Sequence, residues 1–324
     1  MRVKAVLVVA GVLLATAMLM QQSPAQPAWP DRPIRLIVPV AAGGGIDLMA
    51  RILAEGLSQQ LPQRVIVENM GGAGGLLATR MVAKADPDGY TFLFSGPAHA
   101  SLPYVTPDPG YDVRADFTSV SLVARFPLVL VTNPKSPARN TAEFIAMVKA
   151  TPGKYSFGSS GIGGASHIPL EAFKFQADLD MIHVPYRGSG QTTAALLTGE
   201  IDLVCDGLAP QLAHIREGRV RPLGITTKSR SPYLPDMPTI AETLPGYAFP
   251  MWVALFAPAK TPKPIIEKMS SAVAAATASP LIKKRYEDLL VEPVASTPEA
   301  LAQFLDEQLA FNKDIIEKAK IRVQ

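Results

Sequence analysis

Beyond residue 33 the chain alternates short apolar runs with longer stretches in which apolar side chains return every three or four positions. Ile34 to Val40 is predominantly apolar, as a strand buried on both faces is, whereas Ile46, Met49, Ala50, Leu53, Leu57 and Leu61 trace one face of a helix. Val65 to Glu68 and Tyr90 to Ser95 repeat the strand pattern on either side of a helix over Leu76 to Ala85. Strands separated by helices imply right-handed crossovers and a largely parallel sheet. A second series has the same rhythm. Its strands at Tyr155 to Gly158, Met181 to Val184, Ile201 to Asp206 and Val220 to Thr226 enclose helices over Ala165 to Gln176, Gln191 to Thr198 and Pro210 to Gly218.

Two further strand-like stretches, Ser121 to Thr132 and Met251 to Ala257, fall between and after these series. From Thr261 the pattern is helical, with Ile265, Met269, Val273 and Ala276 on one face and Leu301, Phe304, Leu305, Leu309 and Ile316 on another. Those helices bring no sheet of their own and must cover an earlier one, most economically the first. The fold expected is α/β and two-lobed, each lobe a mixed, mostly parallel sheet flanked by helices. Residues 29–125 with 255–324 form the first lobe and residues 126–254 the second, and two strands cross between them as a hinge.

The segment ahead of the first strand differs. Arg2 and Lys4 precede an apolar run from Ala5 to Met20 and a polar, small-residue stretch to Ala28, the order of a secretory signal peptide over residues 1–28. The run is short for a spanning helix, so a retained anchor is the alternative. Ser23-Pro24-Ala25 offers small residues for cleavage, and no cysteine follows to carry a lipid. A periplasmic location is expected.

Removal of Arg2 and Lys4 lowers the formal charge from +3 to +1, and no basic run stands elsewhere, so no nucleic-acid partner is expected. The lone Cys205 forbids an internal disulfide and sits in the apolar run Ile201 to Cys205, as an inert buried thiol would. With 48% hydrophobic and 18% charged residues, the chain can fill two cores.

Glycines gather at predicted strand ends: Gly43 to Gly45, Gly71 to Gly75 around Ala73, Gly96, and Gly158 to Gly164 around Ser159, Ser160 and Ile162. In open α/β sheets ligands bind outside those ends, and glycine lets backbone N–H groups approach them. Two lobes sharing such a cleft suit a small anion, although strand-to-helix turns need glycine in any case. No G-x-G-x-x-G and no Gly-Lys-Ser/Thr follows, which removes nucleotides. Ser159, Ser160, His167 and Asp206 invite a hydrolytic triad, but the G-x-S-x-G elbow is absent, and no enzyme is expected. His99, His167, His183 and His214 are scattered without metal-ligand spacing, so neither metal nor cofactor is expected. Asp47, in the first turn of its helix, suits capping first and ligand contact second. Asp206, closing a strand, either accepts from the Gly207 to Ala209 turn or faces the ligand.

These same segments resemble the Bug family, the extracytoplasmic substrate-binding receptors of tripartite tricarboxylate transporters, over essentially the whole mature chain. The resemblance rests on Trp29 to Pro39, Gly43 to Asp47 with Ala50-Arg51, Val67-Glu68-Asn69 running into Gly71 to Gly75, and Ala85 to Thr91. It continues through Gly158 to Gly161 with His167, His183 to Gly188, Gly199 to Asp202 and Leu234 to Thr239. It implies a periplasmic-binding-protein fold, a Venus flytrap, holding one ligand carboxylate on backbone amides and bridging waters. Carried across, it assigns Ala42, Gly43 and Gly44 to the first loop, Gly74 and Gly75 to the second and Ser95 to the third strand end. From the second lobe it assigns Ser159, Ser160, Gly161, Ala165 and His167, with Asp206 opposite.

Three departures bear on the ligand. Ile46 replaces a common threonine or serine, Leu76 a common asparagine, and Gly190-Gln191 a Ser-Ala-Pro type sequence. The first two make the pocket more apolar, which weakens the case for a dicarboxylic amino acid and keeps an aromatic or aliphatic monocarboxylate open. The expected function is a monomeric receptor that hands a small carboxylate to membrane permease subunits. A periplasmic sensor for a two-component signalling system is the alternative.

Overall fold

The computed structural model describes residues 29–318 and Ile321, apart from 232, 233 and 250. The expected signal peptide lies outside the described residues. Among them no helix is long and apolar enough to cross a membrane.

Six strands form one sheet in the order β11-β4-β10-β3-β1-β2. They are β1 (Ile34–Val38), β2 (Val65–Asn69), β3 (Thr91–Ser95), β4 (Phe117–Phe126), β10 (Met251–Pro258) and β11 (Glu292–Pro293). Five strands form the other in the order β7-β6-β8-β5-β9. They are β5 (Leu128–Thr132), β6 (Ser156–Ser159), β7 (Ile182–Pro185), β8 (Leu203–Gly207) and β9 (Arg221–Ile225). Each sheet is mixed. The triplets β2–β1–β3 and β7–β6–β8 are parallel, while β10, β5 and β9 add antiparallel pairs.

The single strand-like stretch Ser121 to Thr132 is in fact two strands in two sheets, β4 and β5, separated at Pro127. Proline has no N–H to give a ladder, so pairing breaks there and the chain passes from one sheet to the other. The return path runs from β9 to β10. Thr226, fully buried, joins the two passages: its hydroxyl donates to Phe249 O (2.8 Å) and accepts from Leu128 N–H (3.2 Å).

Helices cover the sheets where their apolar stripes dictate. Met49, Ile52, Leu53 and Leu57 bury one face of α1 (Gly45–Gln60). Gly56 on that face lets helix Lys263–Ala278 approach so closely that a Cβ would stand 2.9 Å from Ala276 Cβ. The last helix, Pro298–Lys318, packs on β4 and on helix Ala98–Val105. That shorter helix, and Thr141–Ala150 with its Asn140 cap, have no counterpart in the periodic pattern.

Candidate ligand-binding cleft

In each sheet the chain order reverses beside one strand: β1 connects outward to β2 and then across to β3, and β6 connects to β7 and then across to β8. Such reversals leave a crevice at the carboxyl ends, where α/β proteins bind ligands. The loops at those ends are 39–44, 96–97, 160–166 and the turn after Gly207, together with the Gly71–Gly75 loop after β2.

The two sets of loops meet. A Cβ on Gly74 would lie 2.6 Å from Ile162 O, and one on Gly161 would lie 3.4 Å from Gly74 Cα. The Ser101 hydroxyl donates to Gly163 O at 2.9 Å, and Ala41 approaches Gly188 on the far side of the cleft. The structure is therefore a closed arrangement in which both sheets contribute to one floor.

Besides Ala98–Val105, which follows Pro97, five helices open at this cleft: α1, Leu76–Ala83, His167–Gln176, Ser189–Thr198 and Leu208–Arg216. Their N-caps are Gly44, Gly75, Ser166, Gly188 and Gly207, and none makes a side-chain capping bond. Two remote helices do, Asn140 accepting from Glu143 N–H and Ser279 from Ile282 N–H, whereas Lys263–Ala278, behind Pro262, does not. First-turn N–H groups have no partner within their own helix, and together with the positive end of the dipole they form an anion site.

The expected residues divide into two groups. Ala42 and Gly43 are exposed, and Gly44, Gly74, Ser160, Gly161 and Ala165 are partly so, all at the cleft. Gly75, Ser95, Ser159 and His167 are buried behind them. Asp47 is buried too: its carboxylate accepts from Gly43 N–H (2.8 Å), Asn69 Nδ2 (2.9 Å) and Arg51. Burial pushes its pKa up, but those donors outweigh burial and hold it below the ordinary value. That geometry makes it the brace of the first glycine loop.

Asp206 accepts from Ser189 Oγ (3.0 Å), Gly207 N–H (2.8 Å) and Gln211 Nε2 (3.3 Å), and burial pushes its pKa up against them. Its strand neighbour Cys205 is a buried thiol whose pKa is likewise raised by burial.

The serine–histidine contact differs from the one the sequence invites. Ser159 Oγ meets His183 Nε2 at 2.7 Å, whereas His167 Nδ1 accepts from Gly163 N–H at 3.0 Å. The two imidazoles stack with centroids 4.1 Å apart. His183, which the sequence pattern does not single out as a site residue, thus props the loop that carries Ser160 and Gly161. Burial, and then the neighbouring His167, lower its pKa to about 4, so it is neutral at pH 7. Ser160 is engaged with Ser166: its N–H and its hydroxyl each stand 2.9 Å from Ser166 Oγ.

Glu171 completes a His167–Glu171–His183 cluster with ligand-type atoms within 4.8 Å of one another. With Nδ1 accepting from Gly163, His167 turns Nε2 toward Glu171 Oε1 at 3.6 Å. Lys174 takes the same carboxylate at 2.9 Å. Each member of the cluster thus has its own partner: His167 takes Gly163 N–H, Glu171 takes Lys174, and His183 meets Ser159.

Comparison with known proteins agrees with this architecture. Residues 49–321 match the model of the tripartite tricarboxylate transporter family receptor. BugT of Bordetella pertussis is 35% identical over 313 residues, 95% of each chain. The structure of the periplasmic binding protein BugD superposes with a TM-score of 0.87 at 33% identity, covering 91% of this chain and all of that one. An R. palustris protein solved with adipate gives 0.87 at 32% identity, covering 91% and 99%.

Proposed function

Because the chain belongs to the tripartite tricarboxylate transporter receptor family, we propose that it captures a small carboxylate between its two sheets and presents the closed form to the permease subunits of such a transporter. In this reading the two lobes, expected as residues 29–125 with 255–324 and residues 126–254 and shifted by sheet membership so that all of β4 and β10 fall in the first, form a monomeric flytrap exported to the periplasm by its leader. The observation that carries it is the ring of helix N-termini without side-chain caps at the cleft, which offers N–H donors to an anion from both lobes. The structure with adipate supports a carboxylate as that anion.

Ala42, Gly43, Gly44, Gly74, Ser160, Gly161 and Ala165 line the carboxylate in this assignment, with Gly75 and Ser95 directly behind them. Asp47, Ser159 and His167 hold their loops in place, and Asp206 sets selectivity from the Ser189 side. A ligand that touches both lobes favours closure by the contacts it makes only in the closed state. A thermal-shift screen over organic acids, amino acids and aromatic carboxylates tests the reading. A ligand at 100 times its Kd adds about 2.7 kcal/mol, a rise of about 5 °C or more in melting temperature. A screen in which no carboxylate moves the transition overturns it.

A further inference from the structure

We propose that the captured carboxylate carries an uncharged apolar body, an aryl group or a branched or straight aliphatic chain, which lies in a cavity between the glycine loop 160–166, the β9-to-β10 passage and the last helix. This rests on the carboxylate-capture reading and names the class of ligand.

The cavity holds about 210 Å3. It shares Gly164 and Ala165 with the cleft and is walled by Ile168, Phe249, Met251 and Phe311. Phe249 and Phe311 stand 5.3 Å apart, tilted at 59°, so that a ring between lobe and helix finds aromatic faces and edges. A Cβ on Gly96 would lie 3.7 Å from Ile46 Cδ1 and 3.9 Å from Met251 Cε. Ile46, the apolar replacement at the start of α1, thus lies near the Met251 end of the cavity without lining it. A cavity of about 150 Å3 accommodates a benzene ring, so this one has room for a ring with a small substituent.

Charge decides the rest. The lining contains no Lys, Arg, His, Asp or Glu. Its two amides are uncharged and partly engaged: Gln308 Oε1 accepts from Trp252 Nε1 at 3.1 Å, and Asn312 Nδ2 donates to Gln308 O at 2.7 Å. A second carboxylate placed there would lose its hydration without a cation to replace it. An apolar group of the same shape would gain by leaving water.

The test compares pairs of equal shape on the unaltered protein by calorimetry: terephthalate against 4-isopropylbenzoate, and adipate against 6-methylheptanoate. Within each pair an isopropyl group stands for the second carboxylate. At least one monocarboxylate should bind at least tenfold tighter than its dicarboxylate partner. Filling the cavity by Ala248→Phe should weaken that monocarboxylate at least tenfold; if the variant does not fold, the paired comparison still decides. Dicarboxylates that bind as tightly as their partners overturn the apolar body and leave carboxylate capture standing, as does a folded Ala248→Phe protein with unchanged affinity. If no member of either pair binds, and no acid in the wider screen does, carboxylate capture falls as well.

Discussion

Ser159 Oγ and His183 Nε2 stand 2.7 Å apart beneath the loop that touches the opposite lobe. Ser159 is fully buried, and its hydroxyl also lies 3.2 Å from Gly161 O. The pair therefore fixes the loop from below, with its ring held flat between His167 and Phe157. Ser159→Ala leaves His183 Nε2 without this partner and should cost about 1 kcal/mol of stability. Ligand affinity should fall several-fold as the loop loses its support. Denaturant unfolding reads the first effect and calorimetry the second; unchanged affinity would separate the pair from binding.

Gly74 and Gly43 make a matched contrast. Both have left-handed backbone, with φ of +68° and +91°. A Cβ on Gly74 meets Ile162 O at 2.6 Å across the lobe contact, whereas one on Gly43 meets nothing within 4 Å. Each alanine substitution pays a backbone cost of about 1–2 kcal/mol. Only Gly74→Ala also forces the lobes apart, so it should lose at least tenfold more ligand affinity than Gly43→Ala and scatter as a more open particle. Equal losses would mean that the lobe contact plays no part in binding.

Much of this architecture is legible in the sequence because each central strand is buried on both faces and each long helix carries one apolar stripe, as in Ile34 to Val38 and Met49 to Leu57. Helix Ala98–Val105 escapes such reading because Pro103 and small residues blur its period. The glycine loops are legible as loops, but the contact of Gly74 with Ile162 joins residues that only the fold brings together. His183 belongs to the same class: its partner Ser159 lies on the neighbouring strand. The division of labour between Asp47 and Gly43 was visible only as capping chemistry; Asn69 and Arg51 supply the bonds that turn it inward.

Acid should destabilise the protein through His99. Its ring is fully buried among Tyr111, Phe117 and Phe256, neither nitrogen has a hydrogen-bond partner, and burial pulls its pKa from 6.5 to about 3. Between those values the unfolded chain binds a proton that the folded protein does not. Stability is therefore full above pH 6.5 and is lost as pH falls, by about 1.4 kcal/mol per unit. Urea unfolding of His99→Phe, which keeps a ring in the box, should lose about 1.5 kcal/mol less than the parent between pH 6.5 and pH 5. Parallel pH profiles would place the acid sensitivity in other groups.

Thr226 governs the joint between the lobes. Its hydroxyl is the one side-chain group that bonds both passages among the described residues, donating to Phe249 O and accepting from Leu128 N–H, while its own N–H and C=O bond Leu128 O (3.0 Å) and Phe249 N–H (2.8 Å). Valine matches threonine in shape but strands a buried carbonyl and a buried amide, a loss of about 1–3 kcal/mol. Thr226→Val should therefore melt a few degrees below the parent, and Thr226→Ser, which keeps the hydroxyl, should recover most of the difference. Because these bonds lie at the passages, the same change should speed ligand association and release together, read by stopped-flow fluorescence from Trp252 at the adjoining strand, with loss of affinity confined to ligands that reach Phe249. A Thr226→Val protein with parental melting and parental rates would show that the backbone bonds alone hold the joint.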